Sequence, residues 1–203
     1  MLHVVEISIN IPHGTQKEDI SMTDQLSEVG LIAGTWTIDA AHTTVGFTAR
    51  HLMSKVRGTF TEFTGEFTTA DDPIKSTISV VIKASSITTN NEQRDGHLRS
   101  ADFFDPEIGG NLTFTSTAIR PSGDGYIITG DLTINGITKS VDLDAEFLGT
   151  GTDAYGRTVL GAEATTTINR HDFKVDWNMP LDGGRLLLGP KIDINLSVEA
   201  VQA

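Results

Sequence analysis

The stretch Leu132-Thr133-Ile134-Asn135-Gly136-Ile137-Thr138-Lys139-Ser140-Val141-Asp142-Leu143-Asp144-Ala145-Glu146-Phe147 decides the fold class. Asn135-Gly136 is the signature of a two-residue type I′ turn, whose two central positions both need φ > 0. After it, Ile137, Val141, Leu143, Ala145 and Phe147 alternate with Thr138, Ser140, Asp142, Asp144 and Glu146. Successive side chains of a strand point to opposite faces, so this strand has one apolar and one polar side. Tyr126, Ile128, Leu132 and Ile134 obey the same rule before the turn.

Outward from this hairpin the period of two holds as far as Gly34. Val45, Phe47 and Ala49 share one face of a first strand. Phe60, Phe63 and Phe67 mark a second over 58–67, and their change of parity predicts a bulge near Thr61–Glu62. Ile78, Val80, Ile82 and Ala84 give a third, and Leu112, Phe114 and Ala118 a fourth. The hairpin supplies the fifth and sixth. Leu160, Ala162, Ala164 and Ile168 form the seventh, and Ile192, Ile194, Leu196 and Val198 the eighth. One apolar face per strand describes an all-β antiparallel sheet with a single apolar interior and no helices covering it. Sandwich and barrel both satisfy that pattern. Strands of about ten residues or more, and the edges they would otherwise expose, favour an eight-stranded antiparallel barrel.

Two connections, 88–111 and 169–190, are too long for hairpins and read as lids or mouths. In the first, which joins strands three and four, Thr88, Thr89 or Asn90 is expected to cap a short helix over 92–101. Residues 1–33 read as an N-terminal extension to a barrel domain over 34–203. Val5 to Ile11 alternates briefly and stops at Pro12-His13-Gly14. Residues 1–21 read as a disordered lead, as sequence upstream of a true start at Met22, or as an added edge strand. Ser21 with Asp24 resembles a capping box for a short N-terminal helix ending at Gly30.

Fifteen Lys and Arg against 27 Asp and Glu give a net charge of −12. A nucleic-acid backbone demands a cationic surface, so that partner is excluded. An anionic bilayer would repel this chain on average, although a local basic patch is still allowed. There is no cysteine, hence no disulfide, thiolate nucleophile or Cys-ligated metal. No apolar run reaches the length of a membrane-spanning helix, and Met1 to Asn10 lacks a cationic leader and carries Glu6. A cytoplasmic protein with no stable membrane insertion is expected.

The chain has no GxGxxG, P-loop, HExxH or GxSxG. Its most specific local feature is Arg94-Asp95-Gly96-His97-Leu98-Arg99, which can clamp an anion or simply form helix-surface ion pairs. Phe103 and Phe104, between Asp102 and Asp105, either plug the barrel or line a ligand's path. Arg170-His171-Asp172-Phe173 opens the second long loop, with Arg170 facing the choice between ion pair and ligand contact. His42, His51 and His97 lack the short spacing of a structural metal site, so no metal is expected. Eight strands make a barrel that is either filled by side chains or holds one small ligand. The inward Ala84, Ala145, Ala162 and Ala164 leave room for one.

Taken together, Trp36-Thr37-Ile38-Asp39-Ala40-Ala41-His42-Thr43-Thr44-Val45-Gly46-Phe47, Arg50-His51 and Val56-Arg57-Gly58-Thr59-Phe60 resemble the opening of the YceI-like family. Thr88 with Arg94 to Asp105, Gly130 to Thr138, and Ile168-Asn169-Arg170-His171-Asp172-Phe173 resemble its later motifs, in order. His42-Thr43 replaces the usual His-Ser, and Lys174 stands where a glycine often follows the late Asp-Phe. The resemblance implies an extended lipocalin-like barrel and a binding module, some members holding polyisoprenoids or isoprenoid quinones in the pore. It puts His42, His51, Arg94, Asp95 and His97 near the mouth or lid. With Phe47, Phe60, Leu98, Phe103, Phe104 and Arg170 they are the expected ligand-binding residues. The expected partner is a long-chain isoprenoid lipid, with no cofactor; a homodimer is compatible with this reading. Two other readings stay open: an enzyme on a lipid headgroup, with His42 and His97 as acid and base and Arg94 as oxyanion partner, and a structural or stress-response protein with a filled core.

Overall fold

The computed structural model describes residues 30–105 and 110–203. The extension over 1–29, and with it the helix expected to end at Gly30, lies outside the described residues. Among those described, eleven strands form one antiparallel sheet. They are β1 (Gly34–Ile38), β2 (Thr44–His51), β3 (Ser54–Phe60), β4 (Phe63–Thr69), β5 (Thr77–Lys83) and β6 (Ile87–Thr88). The remainder are β7 (Asn111–Ser122), β8 (Gly125–Ile134), β9 (Ile137–Thr152), β10 (Thr158–Asn169) and β11 (Leu188–Gln202).

The first six are three interrupted strands. β1 pairs with β4 and β2 with β3, while β5 pairs with β4 and β6 with β3. Eight strand paths result, each bonded to its neighbour in sequence. β11 closes the ring, pairing with β2 through Leu188–Ser197 and with β1 through Ala200–Gln202. This is an up-and-down eight-stranded barrel, in which closure leaves no long edge. The parity change read at Thr61–Glu62 is the gap between β3 and β4. Its backbone is satisfied locally, with Thr61 N–H and Oγ1 donating to Ser86 and Lys83 N–H to the Glu62 carbonyl.

Asn135 and Gly136 have φ of 50° and 71°, as the type I′ turn requires. One expected inward residue is corrected. The register shifts between Ser116 and Ala118, so Ala118 faces outward and is exposed. A bulge inserts one residue and moves everything beyond it to the other face.

Two glycines let aromatic rings lie across neighbouring strands inside the barrel. A Cβ at Gly58 would stand 2.4 Å from Phe47 Cζ, and one at Gly130 would stand 2.3 Å from Phe114 Cζ and 2.7 Å from the Thr115 carbonyl. With backbone on one side and a packed ring on the other, a larger residue has nowhere to go. Gly130→Val is expected to destabilise by about 2 kcal/mol, a fall of roughly 5 °C in Tm for a chain of this size, read by a circular-dichroism melt.

The lower end of the barrel is floored by Trp36 and Ala200, both fully buried, with Leu160 beside them. The upper end carries the single described α-helix, α1 (Glu92–Leu98), and the 170–187 loop. Its cap is Asn91, whose side chain accepts the Arg94 N–H at 3.0 Å. That corrects the expectation of Thr88, Thr89 or Asn90. The two threonine hydroxyls are bonded to Asp95, and Asn90 sits at φ 59°, not in the extended conformation of an N-cap. The helix also stops short of Ala101. Phe104 N–H turns back to the Leu98 carbonyl and Ser100 to that of His97, so that Phe103 drops into the core. No helix among the described residues is long and apolar enough to cross a membrane.

Candidate functional site

The barrel is not filled. Its interior holds a cavity of about 680 Å³, within the roughly 300–1,000 Å³ range of small-molecule sites. Phe47, Phe60 and Phe114 reach into it from β2, β3 and β7, while β9 and β10 line it with Val141, Leu143 and Ile168 and with a patch of small residues, Ala145, Ala162 and Ala164. The filled-core reading therefore does not hold. Polar lining is densest at the upper end, with His51, Thr89, Asn91, Gln93, Arg94 and His97, and Thr43, Glu163 and Thr166 add polar groups lower on the wall.

Of the expected residues, Phe47, His51, Phe60, Arg94, His97, Leu98, Phe103, Phe104 and Arg170 line the cavity. Phe60 bridges wall and lid, with ring centroids 5.8 Å from Phe47 and 5.9 Å from Phe104. His97 stands edge-on to Phe103 at 5.1 Å and to Trp177 at 4.7 Å, and its Nε2 is 2.7 Å from Asp102 Oδ2. Trp177 was not anticipated. Its signal was a lone tryptophan in a long polar loop, which nothing in the local pattern connects to α1.

Arg94 donates from Nε to Thr89 Oγ1 at 2.7 Å and from Nη2 to the Thr89 carbonyl at 3.0 Å, with no acid partner among the described residues. Arg170 is 4% exposed and donates to the carbonyls of Gly189, Val175 and Trp177. Burial holds its guanidinium below the ordinary arginine pKa, with Asp176 opposing. It acts as a staple between the 173–177 segment and β11, holding Val175 and Trp177 over the cavity.

Asp95 and His42 are placed differently from expectation. Asp95 is buried beneath α1, outside the cavity wall, and accepts from Thr89 N–H at 2.8 Å, Thr89 Oγ1, and Thr88 Oγ1 at 3.0 Å. Burial pushes its carboxyl up, but the bonds from Thr89 and Thr88, with Arg99 nearby, outweigh it and hold the pKa below 3.8. A depressed pKa stabilises the fold above the unfolded value and is lost as pH falls through the folded one. Asp95→Asn is therefore expected to cost about 1–3 kcal/mol at neutral pH. Its melting temperature should also depend less on pH below 4 than that of the wild type, a comparison made by thermal melts across acid pH.

His42 lies on the outer wall, at the break between β1 and β2. Its Nδ1 is 3.2 Å from Asp39 Oδ2 and 3.5 Å from Glu199 Oε1. Ligand-type atoms of Asp39, His42 and Glu199 lie within 4.8 Å of one another, but Asp39 already accepts from Ala41 N–H and Arg157. The bond to His42, the Ala41 N–H and Arg157 together hold Asp39 below its ordinary pKa. His42 outside and His97 in the lid are not assembled into an acid–base pair.

Residues 36–200 match the family model of the YceI-like domain. Protein YceI of Escherichia coli is 39% identical over 178 residues, covering 84% of this chain and 88% of that protein. The crystal structure of the Campylobacter jejuni YCEI protein superposes with a TM-score of 0.65 at 31% identity, covering 82% of this chain and 96% of that one. A polyisoprenoid binding domain from Saccharophagus degradans shares the fold with a TM-score of 0.60 at 14% identity, covering 85% of this chain and all of that one.

Proposed function

This chain belongs to the YceI-like family, and from that premise we propose that it is a non-enzymatic carrier for a long-chain isoprenoid-type lipid held in the barrel. The observation that carries the reading is the largely apolar cavity of about 680 Å³, with most of its polar lining toward the lid. A linear hydrocarbon suits such a space. Each buried methylene contributes about 0.8 kcal/mol, so ten contribute about 8 kcal/mol, comparable to the cost of association, and a longer chain exceeds it. The tail points down toward Phe67 and Val198, and the polar head stays near His51, Gln93 and Arg94. The described binding of polyisoprenoid by the Saccharophagus degradans domain supports the same ligand class.

The test is direct. Protein purified without detergent is extracted with organic solvent and analysed by mass spectrometry. An isoprenoid lipid near one per chain is expected. An empty extract, together with no uptake of added long-chain isoprenoid, would overturn the proposal. Recovery of a chemically altered lipid after incubation would overturn its non-enzymatic part.

A further inference from the structure

The upper end of the barrel also leaves apolar side chains in water. Met53 is 88% exposed, Leu186 55%, Met179 49% and Leu52 43%. They come from two segments tied to each other, the β2–β3 turn and the loop before β11. Leu52 N–H donates to the Leu187 carbonyl and Leu187 N–H to that of Met179, each at 3.0 Å, and His51 pairs with Leu188. Leu52 is held at φ 53°, a conformation that a bulky residue adopts only under constraint, so the tip is fixed outward.

The charge around these side chains runs against that of the whole chain. Residues 50–57 and 177–191 carry five cations (Arg50, Lys55, Arg57, Arg185 and Lys191) and a single acid, Asp182, in a chain of net charge −12. All five cations are exposed, and the ion pairs among the described residues involve other groups. Across the mouth, Asp95 is buried under hydroxyls, Asp102 is held by His97 and Asp176 by His171, which leaves Glu92 and Asp172 as exposed acids on that side. Exposed apolar tips beside cations that pair with no acid among the described residues match an anionic leaflet, where side chains reach the acyl boundary and cations meet phosphates. His51, Leu187 and Leu188 belong both to this patch and to the cavity wall, so the patch adjoins the ligand's way in.

We propose that the barrel docks mouth-first, through Leu52, Met53, Met179 and Leu186, on a bilayer surface containing anionic phospholipid, and exchanges its lipid there. The proposal rests on the carrier reading for its purpose, but its test does not. The contact is peripheral and reversible, and salt weakens it by screening the attraction between its cations and the anionic headgroups.

The experiment is co-sedimentation of the full chain with vesicles of phosphatidylcholine alone or with about one-third phosphatidylglycerol. Binding to the anionic vesicles and little to the neutral ones is expected. Each cation near such a surface counts for roughly five-fold, so Lys55→Gln/Arg57→Gln should weaken binding by about thirty-fold. Met53→Asp/Leu186→Asp should weaken it at least as much, with unchanged melting curves, since all four positions are exposed. Absence of vesicle binding, or equal binding by wild type and both variants, overturns the proposal. So does a wild-type dimer that Met53→Asp/Leu186→Asp dissociates without any vesicle binding, which would make the patch a contact between copies. Lipid content of the same preparations separates the two readings. Full content without docking leaves the carrier standing, and docking by a chain whose extract is empty and which takes up no added isoprenoid removes it.

Discussion

Protein carrying Ala164→Trp is expected to emerge from purification with its lipid content reduced at least tenfold, yet folded. Ala164 lies opposite Ala145 and Leu196 in the β9–β10–β11 register, and its Cβ faces the cavity. An indole there occupies several water volumes, at about 30 Å³ each, in the part of the lumen left open by small residues. The added bulk is directed into the cavity, so the overpacking cost is expected to be smaller than in a filled core. The matching control is Thr165→Trp. One residue along the strand points to the outer face, where the same bulk meets water. Mass spectrometry of extracts from both, beside a melting curve, decides the matter. Full lipid occupancy in Ala164→Trp would remove the cavity as the binding site, and equal loss in both would point to a global effect.

The largest stability effect is expected at the opposite end. Trp36 is fully buried and its Nε1 donates to Thr69 Oγ1 at 2.7 Å. It sits where β1 meets both β4 and β11, facing Phe67 and Gln202 in the two registers. Trp36→Ala removes the floor of the barrel and leaves a cavity at the point of closure, at a cost of about 3–5 kcal/mol. For a chain of this length that is a fall of roughly 10 °C or more in Tm. Trp36→Phe keeps most of the ring and loses the hydrogen bond, so a smaller loss of about 1–2 kcal/mol is expected. Denaturant titration of the three proteins measures the difference. A Trp36→Ala protein as stable as wild type would mean that closure does not depend on this cluster.

The lining was legible to the extent that it follows strand alternation. Phe47, Phe60, Ile128, Leu143 and Ala164 face inward because each lies two, four or six residues from another inward residue on an unbroken strand. Alternation failed at Ala118, beyond a bulge that leaves no mark in the apolar pattern. Both β1 and the first half of β3 escaped it as well. β1 offers only Trp36 and Ile38 as a repeat, and Ser54, Lys55 and Arg57 are polar because that part of β3 rises to the rim. The polar residues were harder still. Asp95 and His97 are two apart on one short helix, yet one is sealed against β6 and the other overhangs the mouth.

The sequence by itself determined most of the strands, their inward faces up to the bulge before Ala118, the Asn135-Gly136 turn and the irregularity at Thr61–Glu62. Each of these is set within a few residues by the geometry of a pleated backbone. Tertiary structure alone decided that β11 serves both β1 and β2, that His42 lies outside while His97 meets Trp177, and that Leu52 and Met53 share a surface with Met179 and Leu186. Those relations join residues many positions apart through register, bulges and sheet twist. Such quantities accumulate around a closed ring and belong to no single segment of it.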